Sequence, residues 1–136
     1  MTRVIDERQD PGVGPLAAHL GIRRRAMADG RSSFDAAIRP EHMNPHGVVH
    51  GGVVYTLVDY AMGGAVTSRL EPGERCATLE IKINYLAAAT EGVLRAEAEV
   101  VERTSRTAVV HAEVRDGGGR RVAMATGTFY IQRRQG

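Results

Sequence analysis

Two periods of apolar positions divide this chain. Over residues 51–69, Val53, Leu57, Ala61 and Ala65 recur every fourth position beside Val54, Val58, Met62 and Val66, so hydrophobic side chains nearly encircle one long helix. Such a helix needs protein on most of its sides, and Pro72-Gly73 closes it. Beyond that point the period drops to two. Leu79, Ile81, Ile83 and Tyr85 alternate with Glu80, Lys82 and Asn84, while Ala108, Val110, Ala112 and Val114 alternate with His111, Glu113 and Arg115. One face of each run is core and the other is wetter, which predicts strands over 77–86, 92–104, 106–116 and 120–132. Asp116-Gly117-Gly118-Gly119 reads as a hairpin turn and Thr104-Ser105-Arg106 as a tighter one, so these strands are antiparallel. Ahead of the helix lie a short helical turn over 16–20, stopped by Gly21, and two strands over 22–28 and 32–38 split by Asp29-Gly30. A loop over 40–47 follows, marked by Pro40, Asn44-Pro45 and Gly47.

One enclosed helix and five or six antiparallel strands predict an α+β fold in which the sheet curls around the helix. That arrangement leaves an outer face and an edge strand uncovered, which predicts at least a homodimer. The 136 residues suit one domain over 16–136, preceded by a flexible lead-in over 1–15 that has no apolar targeting segment.

Charge narrows the partners. Eighteen cations, of which Lys82 is the only lysine, face sixteen carboxylates and leave a formal charge of +2, without the excess that nucleic acid or an anionic membrane calls for. The stretch over 51–68 holds four glycines and Asp59, which argues against a membrane span. Cys76 is the single cysteine, so an intramolecular disulfide and a multi-cysteine zinc site are excluded, and a reducing, cytoplasmic setting is expected.

The densest chemistry lies in His42-Met43-Asn44-Pro45-His46-Gly47-Val48-Val49-His50-Gly51-Gly52 and the helix after it. The first N–H groups of a helix have no partners within it, and the dipole adds positive potential there. With no Cβ at Gly51 or Gly52, a ligand oxygen can approach that backbone as it would an oxyanion hole. The same glycines also serve plain close packing. Asp59 is the one carboxylate in a helix otherwise apolar or glycine, and burying it costs several kcal/mol unless it is paired or used. Eight residues separate it from Gly51, roughly 12 Å of helix axis, too far for both to serve one carbonyl. A second copy with its helix antiparallel to the first would bring them together. His42, His46 and His50 recur every fourth residue, but Pro45 and Gly47 break any helix between them, so no metal is expected. His50 reads as an orienting group, His42 and His46 as solvated loop residues, Asn44 as a substrate-positioning or turn amide, and Cys76 as a small buried residue.

These residues resemble the PaaI-type thioesterases of the hot-dog superfamily. The matching string is His42-x-Asn44-x-x-Gly47-x-x-His50-Gly51-Gly52-x-x-x-x-Leu57-x-Asp59-x-Ala61-x-Gly63, followed by the strand Thr78-Leu79-Glu80-Ile81-Lys82-Ile83-Asn84-Tyr85-Leu86. The resemblance implies a curved antiparallel sheet around one long central helix, dimers and often tetramers, and hydrolysis of acyl-coenzyme A without metal or cofactor. It implies Asp59 as the catalytic carboxylate, acting as general base or as nucleophile through a mixed anhydride. It further implies Gly51 as the oxyanion-hole donor, Asn44 and His50 as orienting groups and Thr78 beside the attacking water. The expected acyl groups are aromatic, aryl-acetyl or medium-chain. Gly52, Met62, Tyr85, Arg103 and Arg106 are the candidate substrate-binding residues. After Tyr85-Leu86 the family commonly carries Arg-Pro where this chain has Ala87-Ala88-Ala89, and Arg103 or Arg106 is the candidate replacement for that phosphate contact. Two other readings are a non-catalytic acyl-coenzyme A binding module and a hot-dog hydratase. The hydratase pairs its Asp with a His downstream on the helix, and none lies between Tyr60 and Ser68.

Overall fold

A computed structural model describes residues 13–133. The expected lead-in falls almost wholly outside them. The elements run α1 (Pro15–Leu20), β1 (Ile22–Ala28), β2 (Arg31–Ala37), a 3-10 turn (Pro40–His42), α2 (Gly51–Thr67), β3 (Glu74–Tyr85), β4 (Val93–Arg103), β5 (Thr107–Arg115) and β6 (Arg121–Arg133). All strand pairs are antiparallel, in the order β1-β2-β4-β5-β6-β3. The chain therefore carries α2 across the sheet, from β2 near one edge to β3 at the other. α2 touches all six strands, the wrapped arrangement that the apolar periodicity predicts. No described helix is long and apolar enough to cross a membrane.

Small side chains let the sheet close on the helix. Its inner face carries Ala96, Ala98, Ala108, Ala112, Ala123 and Ala125, all buried. Leu57, Val58, Ala61, Met62 and Ala65 of α2 are fully enclosed against that face. Two glycines mark the closest approaches. A Cβ on Gly64 would meet the Phe34 ring at 2.8 Å, and one on Gly127 would meet the Met62 sulfur at 2.9 Å. The Ser32 hydroxyl, buried beneath the helix, donates to the Ala61 carbonyl and ties β2 to α2.

Three local features depart from the sequence reading. β3 begins at Glu74 rather than at 77, because Glu74, Arg75 and Cys76 pair with Arg133, Gln132 and Ile131 of β6. Within β3 the register shifts between Thr78 and Glu80, and Leu79, expected on the core face, bulges out at 59% exposure. His42, expected in solvent, is buried: Nε2 donates to the Leu20 carbonyl at 2.8 Å and Nδ1 accepts from the Arg39 N–H at 3.3 Å. The polar loop over 40–47 thus clamps onto α1 through one imidazole. Asp35, on the outer face of β2, is buried under the arginines of neighbouring strands.

Candidate active site

The sealed faces of α2 leave one stripe uncovered. Tyr55, Asp59, Gly63 and Thr67 follow one another at four-residue spacing, one turn apart, and all are exposed or half-buried. Asp59, Gly63 and Thr67 line a cleft of about 320 Å³ with Tyr60, Phe34, Phe129, Arg24, Cys76 and Thr78. The lack of a side chain at Gly63 keeps room beside the carboxylate, since a Cβ there would meet the Phe129 ring only at 3.8 Å. The Phe34 and Tyr60 rings stack with centroids 5.9 Å apart and give the cleft an aromatic wall.

Asp59 is half-buried, with one oxygen accepting from the Thr78 hydroxyl at 2.7 Å. Its other oxygen accepts no hydrogen bond among the described residues. The helix places the carboxylate and the edge strand places the hydroxyl, so the pair exists only once β3 has docked on α2. With its O–H donated in a hydrogen bond to Asp59, the Thr78 oxygen keeps lone pairs that can accept from a water. Cys76, two residues earlier on the same face, packs against Thr67 (3.8 Å between Sγ and Oγ1). Burial, more than the nearby Asp59 charge, pushes its thiol above the ordinary range.

At the start of α2 the two glycines differ. His50 is the N-cap, and its Nδ1 accepts from the Gly52 N–H at 2.7 Å, which uses up that donor. The Gly51 N–H has no acceptor among the described residues. Tyr85 donates its hydroxyl to the Gly51 carbonyl at 2.8 Å, and a Cβ on Gly51 would meet its ring at 3.1 Å, so the space explains the glycine. Burial raises the Tyr85 phenol above its ordinary value, with Tyr55 adding to the effect. Since α2 runs unbroken over Gly51–Thr67, Gly51 and Asp59 stay eight residues apart on one rod, roughly 12 Å along its axis.

The remaining candidates scatter. Asn44 spends its side-chain oxygen on the His46 N–H (2.8 Å) and the Val48 N–H (3.3 Å), shaping the loop before the helix. Met62 does not line the cleft; it faces the sheet and packs in the core, and Tyr60 and Gly63 occupy the positions expected of it. Arg103 is held by protein partners away from the cleft. Its guanidinium reaches both Glu74 carboxylate oxygens at 3.1 Å and the Arg69 carbonyl at 3.0 Å, bracing β4 against the end of α2. Arg106, on the turn between β4 and β5, lines a different groove at the end of the sheet. His46 is exposed, His42 is occupied in the core and His50 caps the helix, so the three imidazoles do not converge. The four-residue spacing of Asp59, Gly63 and Thr67 was a readable sign of the cleft-facing stripe; Arg24 and Phe129 reach the cleft from distant strands and carried none.

The comparisons with known proteins agree with this fold. A family model described as the thioesterase superfamily matches residues 46–123, from the loop before α2 into β6. A conserved protein of Pseudomonas aeruginosa superposes with a TM-score of 0.85 at 33% identity, covering 88% of this chain and 95% of that one. The phenylacetic acid degradation protein PaaI of Thermus thermophilus, in a mutant form, superposes with a TM-score of 0.79 at 30% identity, covering 86% and 98%. A 1,4-dihydroxy-2-naphthoyl-CoA hydrolase of Listeria monocytogenes is 24% identical over 120 residues, 88% of this chain and 98% of that one.

Proposed function

The chain belongs to the thioesterase superfamily and is a thioester hydrolase, and from that premise we propose that it cleaves aromatic or medium-length acyl-coenzyme A thioesters at the Asp59 cleft. The observation that carries this reading is the Asp59–Thr78 hydrogen bond of 2.7 Å on the wall of a cleft lined by Phe34, Tyr60 and Phe129. The aromatic lining suits a ring-bearing acyl group, the kind named for the Listeria relative. A water accepted between the Thr78 hydroxyl and the free Asp59 oxygen attacks the thioester carbonyl carbon while Asp59 takes its proton. The tetrahedral oxyanion then collapses, expelling the coenzyme A thiolate, which recovers the proton.

Something must stabilise that oxyanion, and no free N–H lies beside Asp59 on its own helix. The Gly51 N–H of a second copy, its α2 antiparallel to the first, supplies the donor, with the helix dipole behind it. On this reading the active unit is at least a homodimer, with tetramers as its expected assembly. Asn44, through its amide nitrogen, and His50, through Nε2, orient the thioester at that donor end.

The test is thiol release from a panel of aromatic and aliphatic acyl-coenzyme A esters by wild type, Asp59→Asn and Gly51→Val. Each variant alone is expected to be inactive, and a mixed dimer of the two to recover turnover, because one of its two sites is intact. No recovery in a verified mixed dimer refutes the shared site. Tight binding of esters without release of thiol by wild type moves the reading to an acyl-coenzyme A binding module. Single turnover in oxygen-18 water separates base from nucleophile, since label in Asp59 requires an anhydride.

A further inference from the structure

Three arginines stand in a row on β1, and the structure sends them to different places. Ile22 and Met27 are both buried on the inner face of the strand, although positions 22 and 27 differ by an odd number that plain alternation cannot satisfy. A register shift resolves the conflict. Arg24 pairs with Phe34 and Ala26 with Ser33, which leaves Arg25 between them without a cross-strand partner. Arg25 turns outward to Asp35 at 2.8 Å, and Arg23 is exposed. Arg24 stays on the inner face beside Phe34, in the wall of the Asp59 cleft.

A guanidinium in that position is costly. Its Nε and Nη2 are buried, and burial holds the group below the ordinary arginine pKa. Among the described residues Arg24 is the only cation on the cleft walls and Asp59 the only carboxylate. The two are linked through aromatic rings. Tyr60 follows Asp59 on α2, its ring stacks on Phe34 with centroids 5.9 Å apart, and Phe34 is the cross-strand neighbour of Arg24. A hydrocarbon acyl group ending there would desolvate the guanidinium further and return nothing. An anionic end would be answered by it. Arg24 also interacts with the protein around it, but its planar fork carries five N–H donors, more than one acceptor uses, and it fits a carboxylate with two parallel hydrogen bonds.

We propose that Arg24 is a specificity-determining residue that selects acyl groups bearing a carboxylate at the end far from the thioester, so that the substrate is the coenzyme A half-thioester of a dicarboxylic acid. The thioester sits at Asp59, the body of the acyl group lies along the Tyr60–Phe34 stack, and the distal carboxylate meets Arg24. The stack keeps the substrate's charge apart from that of Asp59. The assignment rests on the thioesterase reading for the bond that is cleaved, and on the β1 bulge and the cleft lining for the choice of acyl group.

Two esters of matched shape test it, 4-carboxyphenylacetyl-coenzyme A and its uncharged analogue 4-nitrophenylacetyl-coenzyme A. Wild type is expected to favour the carboxylate by at least tenfold in kcat/KM, the scale of a charge-assisted pair. Arg24→Gln is expected to bring that ratio down to about one, and Arg24→Glu to invert it. Arg24→Lys, which keeps the charge and loses the fork, is expected to lie between wild type and Arg24→Gln, and it carries the test should a thermal melt show that the others do not fold. If wild type hydrolyses the nitro ester as well as the carboxylate, or if its preference survives Arg24→Gln, Arg24 does not select the substrate and the hydrolase reading stands without it. If wild type releases thiol from neither ester, the thioesterase reading falls, and calorimetry with the same two esters decides the rest. Tighter binding of the carboxylate that Arg24→Gln abolishes keeps the role of Arg24, whereas equal binding of both esters overturns it.

Discussion

Asp35 and Asp59 are both aspartates in the middle of regular elements, and the molecule treats them in opposite ways. Asp35 is 3% exposed; Arg25 reaches it at 2.8 Å and Arg95 at 3.8 Å, so its charge is answered on the spot. Asp59 is half open to a cleft and is met by one neutral hydroxyl, with a second oxygen unused among the described residues. Burial alone would have singled out Asp35. The carboxylate proposed to act differs from it by a charge left unanswered beside empty space, while Asp35 is paired and covered.

The strongest way to break this contrast is to remove each charge in turn. Asp59→Asn is expected to lower thioester turnover by about a thousandfold, the loss expected when a general base is removed, with an unchanged thermal melt. Asp35→Asn is expected to do the reverse, destabilising the fold by about 2 kcal/mol in a urea titration while kcat of the folded protein holds. A loss of stability at Asp59 or of turnover at Asp35 would erase the distinction. Thr78→Val, which removes the hydroxyl that donates to Asp59, is expected to cost about tenfold in kcat, with Thr78→Ser restoring most of it. The mildest probe is Cys76. Because burial raises its thiol, alkylation is expected to be slow at neutral pH and to climb only above the ordinary thiol range. Protection by bound substrate would place the acyl group against it.

Much of this was legible in the chain. The helical period over 51–69 and the two-residue period beyond it carry the architecture, because each reports which side of an element meets the core. Gly51, Asp59 and their separation follow from helix arithmetic. What stayed hidden depends on partners far away in sequence. His42 sits in a polar loop, and only the Leu20 carbonyl, 22 residues earlier, turns it into a buried clamp. Asp35 is covered by Arg25, which stands at an irregularity in β1 that strict alternation does not foresee. Met62 and Gly63 are adjacent, and one residue of helical rotation decides that the first packs on the sheet and the second opens the cleft. Arg75, Arg106 and Arg133 come from three different strand ends, so their spacing along the chain does not announce the groove they share.

The outward step at Leu79 has a consequence for how this chain can change. Counting by twos from Thr78, which meets Asp59, would bring Glu80 and Lys82 under the helix; counting back from Ile83 and Ile81, which pack there, would leave Thr78 outside. Both sets face inward only because one residue is spent without being counted. β3 is in effect two reading frames joined at a comma. A deletion at 79 would simply join the two frames, since Thr78, Glu80 and Ile81 already pair with Phe129, Thr128 and Gly127 in unbroken order. Lineages that lose that residue are therefore expected to keep both inward sets, whereas loss of Glu80 as well would set Thr78 beside Ile81 and turn one of them out.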